Sequence, residues 1–210
     1  MNRLIYERNG ASIYRESFAM IRAEADLSGV AKDLEAVVVR MIHACGMTDL
    51  PELVSASPDF PEAGRSALRS GAAIFTDSMM VANGISRSRL TAGNAVICTL
   101  NDPRVSNDAR RIETTRSAAA VDLWLPDVDG AVAVFGNAPT ALFRLLELIL
   151  DGQAHPAAVI GLPVGFVGAS ESKDALRTLD HGVPYLVVRG RRGGSAMAAA
   201  AVNALASEKE

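Results

Sequence analysis

Thiols and aromatic rings are scarce in this chain. Only Cys45 and Cys98 occur among 210 residues, with no CxxC pair. A disulfide framework or cysteine-held metal is therefore not expected; two reduced, buried thiols in a cytoplasmic protein are. The three histidines (His43, His155 and His181) lie far apart without HxxxH spacing, so no metal site is expected from them either. Aromatics make up 5% of residues against 49% hydrophobic overall, so the core must be Ala, Val, Leu and Ile, which let helices and strands approach closely. Basic charge is not in excess. A formal net charge of −3 argues against a nucleic-acid binder, which needs a basic face. Long hydrophobic runs are missing as well. The most apolar segment, 141–150, is interrupted by Arg144 and Glu147 and is too short to span a bilayer. The opening MNRLIYERNG lacks the apolar core of a signal peptide, so no membrane association is expected.

What is present is a repeated strand–turn–helix pattern. In AVAVFGNAPTALFRLLELIL (131–150), five small apolar residues suit a strand buried on both faces. Gly136-Asn137 breaks the run, Pro139 suits a first helical turn, and Leu142, Leu145, Leu146 and Ile149 recur at helical spacing. The pattern returns at 157–176 and 184–205. Shorter apolar runs at 72–76 and 95–100 complete five expected strands, near 72–76, 95–100, 131–135, 157–161 and 184–189. Helices are expected over 11–25, 30–44 (stopped by Gly46), 61–70 and 107–124. These elements predict an α/β fold: three α/β/α layers around a mostly parallel five-stranded sheet, Rossmann-like but without a dinucleotide fingerprint. One domain over 1–210 is expected, with a helical part at 10–46 and a parallel core at 70–206, ending in a solvated SEKE tail.

Ligands of such sheets collect at the carboxyl ends of the strands, which places the expected site at the glycine turns. The loops 161–168 and 190–194 are either tight connections or anion cradles. Arg189, Arg191 and Arg192 beside Gly193-Gly194-Ser195 favour a carboxylate or phosphate. Neither GxxxxGK[ST] nor GxGxxG with its downstream acid is present, so a standard nucleotide is not the expected anion. His43, late in an apolar helix, is either a satisfied structural residue or a general acid/base. Arg40 lies three residues earlier, on the same side, where it would hold an anion near the imidazole. Arg116 in TRSAAA is a surface residue, or it reaches a ligand carboxylate or partner subunit. No nucleophile-elbow serine and no glycosidase-like carboxylate pair appears. Proton transfer without a covalent intermediate is the chemistry these residues best support.

Eight segments together resemble one family. They are IYRESFAMIRAEADLS (13–28), VRMIHACG (39–46), DSMMVANGI (77–85), GNAVICTL (93–100), TRSAAA (115–120), GNAPTALFRLLELI (136–149), GLPVGFVGASESKDAL (161–176) and VVRGRRGGSAMAAAAVNALA (187–206). In that order they resemble the precorrin-8X methylmutases, corrin-pathway isomerases of cobalamin biosynthesis. The resemblance implies transfer of a methyl group from C-11 to C-12 of precorrin-8X, giving hydrogenobyrinic acid, or the same step on cobalt-precorrin-8 giving cobyrinic acid. It implies no cofactor and a cytoplasmic homodimer with the active site near the subunit interface. His43 carries over as proton donor/acceptor, and Ser17, Arg40 and Arg116 as substrate contacts. A non-catalytic corrinoid carrier and a nucleotide-dependent oxidoreductase are the alternative readings.

Overall fold

A computed structural model describes residues 4–207; residues 208–210 of the expected SEKE tail lie outside the described residues. The apolar run at 131–135, with two β-branched valines, forms β4 (Val132–Phe135), buried along its whole length. Around it lie β1 (Val54–Ala56), β2 (Ile74–Thr76), β3 (Val96–Ile97), β5 (Ala158–Gly161) and β6 (Tyr185–Val188), in the order β1-β6-β5-β4-β2-β3. All five expected strands are present and mutually parallel. The sheet has a sixth. β1 pairs antiparallel with β6, Val54 opposite Val188, and three residues at a sheet edge leave too little alternation to be legible as a strand. β3 is shorter than expected. After two residues the chain leaves the sheet, and the Thr99 hydroxyl donates to the Ala120 carbonyl (2.7 Å) while accepting from the Trp124 indole (3.0 Å).

Strand residues alternate between two helical layers, as a period of two requires. Ile74, Val132, Val134, Ala158, Ile160, Leu186 and Val188 face α1 (Gly10–Glu24), α2 (Glu35–Cys45), α3 (Phe60–Arg69), α4 (Met79–Gly84) and α9 (Ser195–Leu205). Phe75, Ala133, Phe135, Val159 and Val187 face the opposite layer of α6 (Arg116–Asp122), α7 (Pro139–Leu150) and α8 (Ala169–Thr178). Five of the six alanines of α9 are buried, which lets it lie close against α2. Two helices differ from expectation. The 107–124 helix is two, α5 (Val105–Arg111) and α6, because Glu113 takes φ 52° and the Thr115 hydroxyl caps α6 by accepting from the Ala118 N–H. The 30–44 helix begins only at Glu35 and ends on Gly46, whose φ of 71° is the left-handed stop expected there.

Strand order reverses between β2 and β4, so the ligand crevice of a doubly wound sheet should open at their carboxyl ends. Here it is filled from within. Asp77, following β2 and buried, accepts from the N–H groups of Gly136 (3.0 Å), Asn137 (2.8 Å) and Ala138 (2.7 Å), in the turn that leads into α7. The helix that follows is capped by the next residue, Ser78, whose hydroxyl accepts from the Val81 N–H. Burial pushes the Asp77 carboxyl above its ordinary value, and the three backbone donors work against that rise. Gly136 is required by close approach: a Cβ there would lie 2.7 Å from Ser195 Cα and from Val81 Cγ2. Asp77→Asn puts an amide NH₂ against these donors, and should cost about 2–3 kcal/mol of stability. Urea unfolding measures it; a loss under about 0.5 kcal/mol would show that the carboxylate does not hold the turn.

Candidate functional site

α1 is capped at Asn9, whose side chain accepts from the Ser12 N–H, and it lays Phe18 and Ile21 onto the core. Tyr14, Ser17 and Phe18 are three and four residues apart, so they share the flank turned to α2. There they surround His43. The Ser17 hydroxyl lies 2.8 Å from His43 Nδ1. The Phe18 ring stacks on the imidazole at 5.1 Å between centroids, and the Tyr14 ring lies tilted at 5.2 Å. His43 is half-buried in the last turn of α2, next to the left-handed stop at Gly46. It opens into a cavity of about 370 Å³ shared with Ile13, Ser17 and Met20, at the low end for small-ligand pockets. Glu16 and Glu24 lie on that cavity's wall.

Arg40 is 8% exposed, with its guanidinium 5.4 Å from the Phe18 ring centroid. It therefore lies under the aromatic pair that holds the imidazole and is not displayed to solvent. Ser17, Arg40 and His43 are thus brought together around Phe18. Arg116 is not. It begins α6 on the opposite layer, exposed, and donates to the Leu100 carbonyl at 3.0 Å. Sequence reasoning missed the Tyr14–Phe18 clamp, although the i, i+4 spacing beside Ser17 carried the signal.

The arginines at 189, 191 and 192, in and beside the 190–194 loop, are not set out as the anion cluster expected of them. Arg189 donates to the Glu52 carbonyl at 2.5 Å, Arg192 pairs with Asp49 at 2.7 Å, and Arg191 lies over the Phe166 ring at 4.9 Å. Two of the three thus tie the loop to the segment following α2. Lys173 of α8 completes the tie by donating to the Arg192 carbonyl at 2.6 Å. It is 1% exposed, and burial lowers its pKa from 10.5 to about 8. Cys45 and Cys98 are both free and half-buried, less covered than expected. Among the described residues no helix is long and apolar enough to cross a membrane.

Comparison with known proteins agrees with this architecture. A family model described as precorrin-8X methylmutase matches residues 12–208. The chain belongs to the precorrin-8X methylmutase family. That makes it an isomerase, an intramolecular methyl transferase. It is 58% identical to a precorrin-8X methylmutase of Pseudomonas aeruginosa over 98% of this chain and 99% of that one. It is 56% identical to one from a Sinorhizobium species, covering 96% of each. A solved precorrin-8X methylmutase of Thermus thermophilus superposes with a TM-score of 0.86 at 42% identity, over 94% of this chain and 95% of that one.

The lysine has a measurable consequence for pH. Its folded pKa, about 8, lies below the ordinary 10.5, so between these values the unfolded chain binds more protons. Stability should therefore rise with pH across that window, by up to about 3 kcal/mol, with the full cost of burying the charge present below it. Urea midpoints at pH 8 and pH 10 should differ in this sense for wild type. The Lys173→Met variant should lose that rise; an equal rise in both would assign it to other groups.

Proposed function

We propose that the chain moves the methyl group at C-11 of precorrin-8X to C-12, giving hydrogenobyrinic acid, with His43 as the proton donor and acceptor. The observation that carries this is the clamped imidazole: Nδ1 held by Ser17 at 2.8 Å, and the ring fixed between Tyr14 and Phe18 beside an open cavity. A hydroxyl suits this task because it donates to a neutral Nδ1 and accepts from a protonated one. Ser17 can hold the ring through both halves of a proton cycle, leaving Nε2 for the substrate. Protonating a ring nitrogen of the macrocycle makes it more electrophilic and promotes the methyl shift. The same imidazole then takes the proton back, so the reaction is a net isomerisation. No nucleophile on the protein is required.

Arg40 contributes a positive charge one turn from His43, which favours an anionic macrocycle there. We propose the cytoplasm as its location and a homodimer as the working form. Arg116, remote from the imidazole of its own chain, then serves a site near the subunit interface. Precorrin-8X is preferred over its cobalt form because both relatives above carry the name of the precorrin-8X enzyme.

Incubation with precorrin-8X, followed by visible spectrum and mass, tests the reading. Wild type should change the spectrum at constant mass. His43→Ala should lower kcat by about 10²–10⁴-fold while still binding product. Ser17→Ala should lower kcat less, with KM little changed. Binding without conversion by wild type would point to a carrier, or to a cobalt-bearing substrate if cobalt-precorrin-8 is converted instead. Full activity of His43→Ala would remove the histidine from the mechanism.

A further inference from the structure

Past the first six residues, no large apolar side chain among the described residues is as exposed as Phe166 (81%) and Val167 (89%). Both sit in the loop after β5, beside the loop after β6, at the carboxyl ends of two neighbouring strands. The two loops are strapped together. The Gly194 N–H donates to the Leu162 carbonyl at 2.8 Å, and the Gly165 N–H to the Arg191 carbonyl at 3.3 Å. Gly193 permits this approach, since a Cβ there would run into the Leu162 and Pro163 carbonyls. Arg189 and Arg192 are anchored on the Glu52 carbonyl and the Asp49 carboxylate. Arg191 is exposed instead. Its guanidinium lies 4.9 Å from the Phe166 ring centroid and pairs with no carboxylate among the described residues. The two side chains line a cavity of about 250 Å³ with Met47, Val164 and Met197. Gly46 and Thr48 line the His43 cavity, and Met47 between them lines this one. The two cavities therefore stand on either side of the segment that follows α2.

We propose that Phe166 and Arg191 form a substrate-binding clasp, with Phe166 resting on the apolar face of the macrocycle and Arg191 binding one of its peripheral carboxylates. The proposal rests on the methylmutase reading above and names two residues that hold that substrate beside His43. An exposed phenylalanine gains by burial against an apolar surface, and a guanidinium forks onto a carboxylate through paired N–H donors. The ring contact steadies the cation but supplies its donors with no oxygen, so a carboxylate adds hydrogen bonds without displacing any. A wholly apolar occupant would cover the guanidinium and leave those donors unmet. A flat ring edged with acetates and propionates meets the phenylalanine and the cation together. The clasp sets affinity, and His43 sets rate.

Hydrogenobyrinic acid and its methyl ester should be titrated, by visible absorbance, into wild type, Phe166→Ala, Arg191→Gln and the double variant. Arg69→Gln, which removes an exposed arginine paired with Glu62 on α3, serves as control. Arg191→Gln should bind the acid about tenfold more weakly and the ester as wild type does. Phe166→Ala should weaken acid and ester alike, again about tenfold, because it removes apolar contact. KM should rise in both while kcat at saturation stays within about twofold, and Arg191→Lys should recover part of the affinity. Acid affinity unchanged in either single variant, with wild type still turning over, would overturn the clasp and leave the enzyme standing. Equal loss of acid and ester binding in Arg191→Gln would assign the effect to the packing of the loop and overturn it too. If wild type neither binds nor converts a corrin, the methylmutase reading itself fails and the clasp falls with it.

Discussion

One buried carboxylate sets how this sheet can be used. Asp77, at the end of β2, accepts from three successive N–H groups where β4 turns into α7. In a doubly wound sheet that crevice is where an anionic ligand is ordinarily cradled by a helix N-terminus. Here the protein supplies its own anion. The N–H groups of the turn into α7 are satisfied, the two central strands are tied at their ends, and Gly136 lets α9 and α4 close over the junction. With that crevice filled, the cavity beside His43 lies elsewhere, along α1.

That displacement accounts for the chemistry. α1 is held to the core by Phe18 and Ile21 and leaves much of its surface open, including Ile13, Tyr14 and Met20. Its two flanks differ in charge, with carboxylates beside the His43 cavity and arginines on the other side. The Tyr14 and Phe18 rings stand between, touching the imidazole from one helix while it belongs to another. Ordering His43 therefore depends on the packing of α1 on α2. The left-handed stop at Gly46 ends α2 at the cavity mouth, and Arg192–Asp49 with Lys173 beneath fixes the segment that follows.

The core strands were legible because a strand buried on both faces writes itself as a run of small apolar residues, as at 131–135 and 157–161. The edge was not. β1 makes one antiparallel pairing over three residues, and β3 makes one parallel pairing over two. So little buried surface leaves no periodicity to read. The break between α5 and α6 turned on a single positive φ at Glu113, and the threonine cap that marks it was present but outweighed by the apolar spacing on either side.

At the site, local sequence determined which residues share a helix face. Arg40 with His43, and Tyr14 with Ser17 and Phe18, follow from a period of 3.6 and needed no coordinates. The family motifs likewise lie in the sequence itself. Only the tertiary structure decided that Ser17 reaches Nδ1, that Arg40 is folded beneath Phe18, that Arg116 stands on the far layer, and that Arg189 and Arg192 are spent on the protein's own oxygens. Those outcomes depend on which elements pack together, and packing is a competition among partners distant in sequence. A helix declares its own face; what that face meets is settled by the rest of the fold.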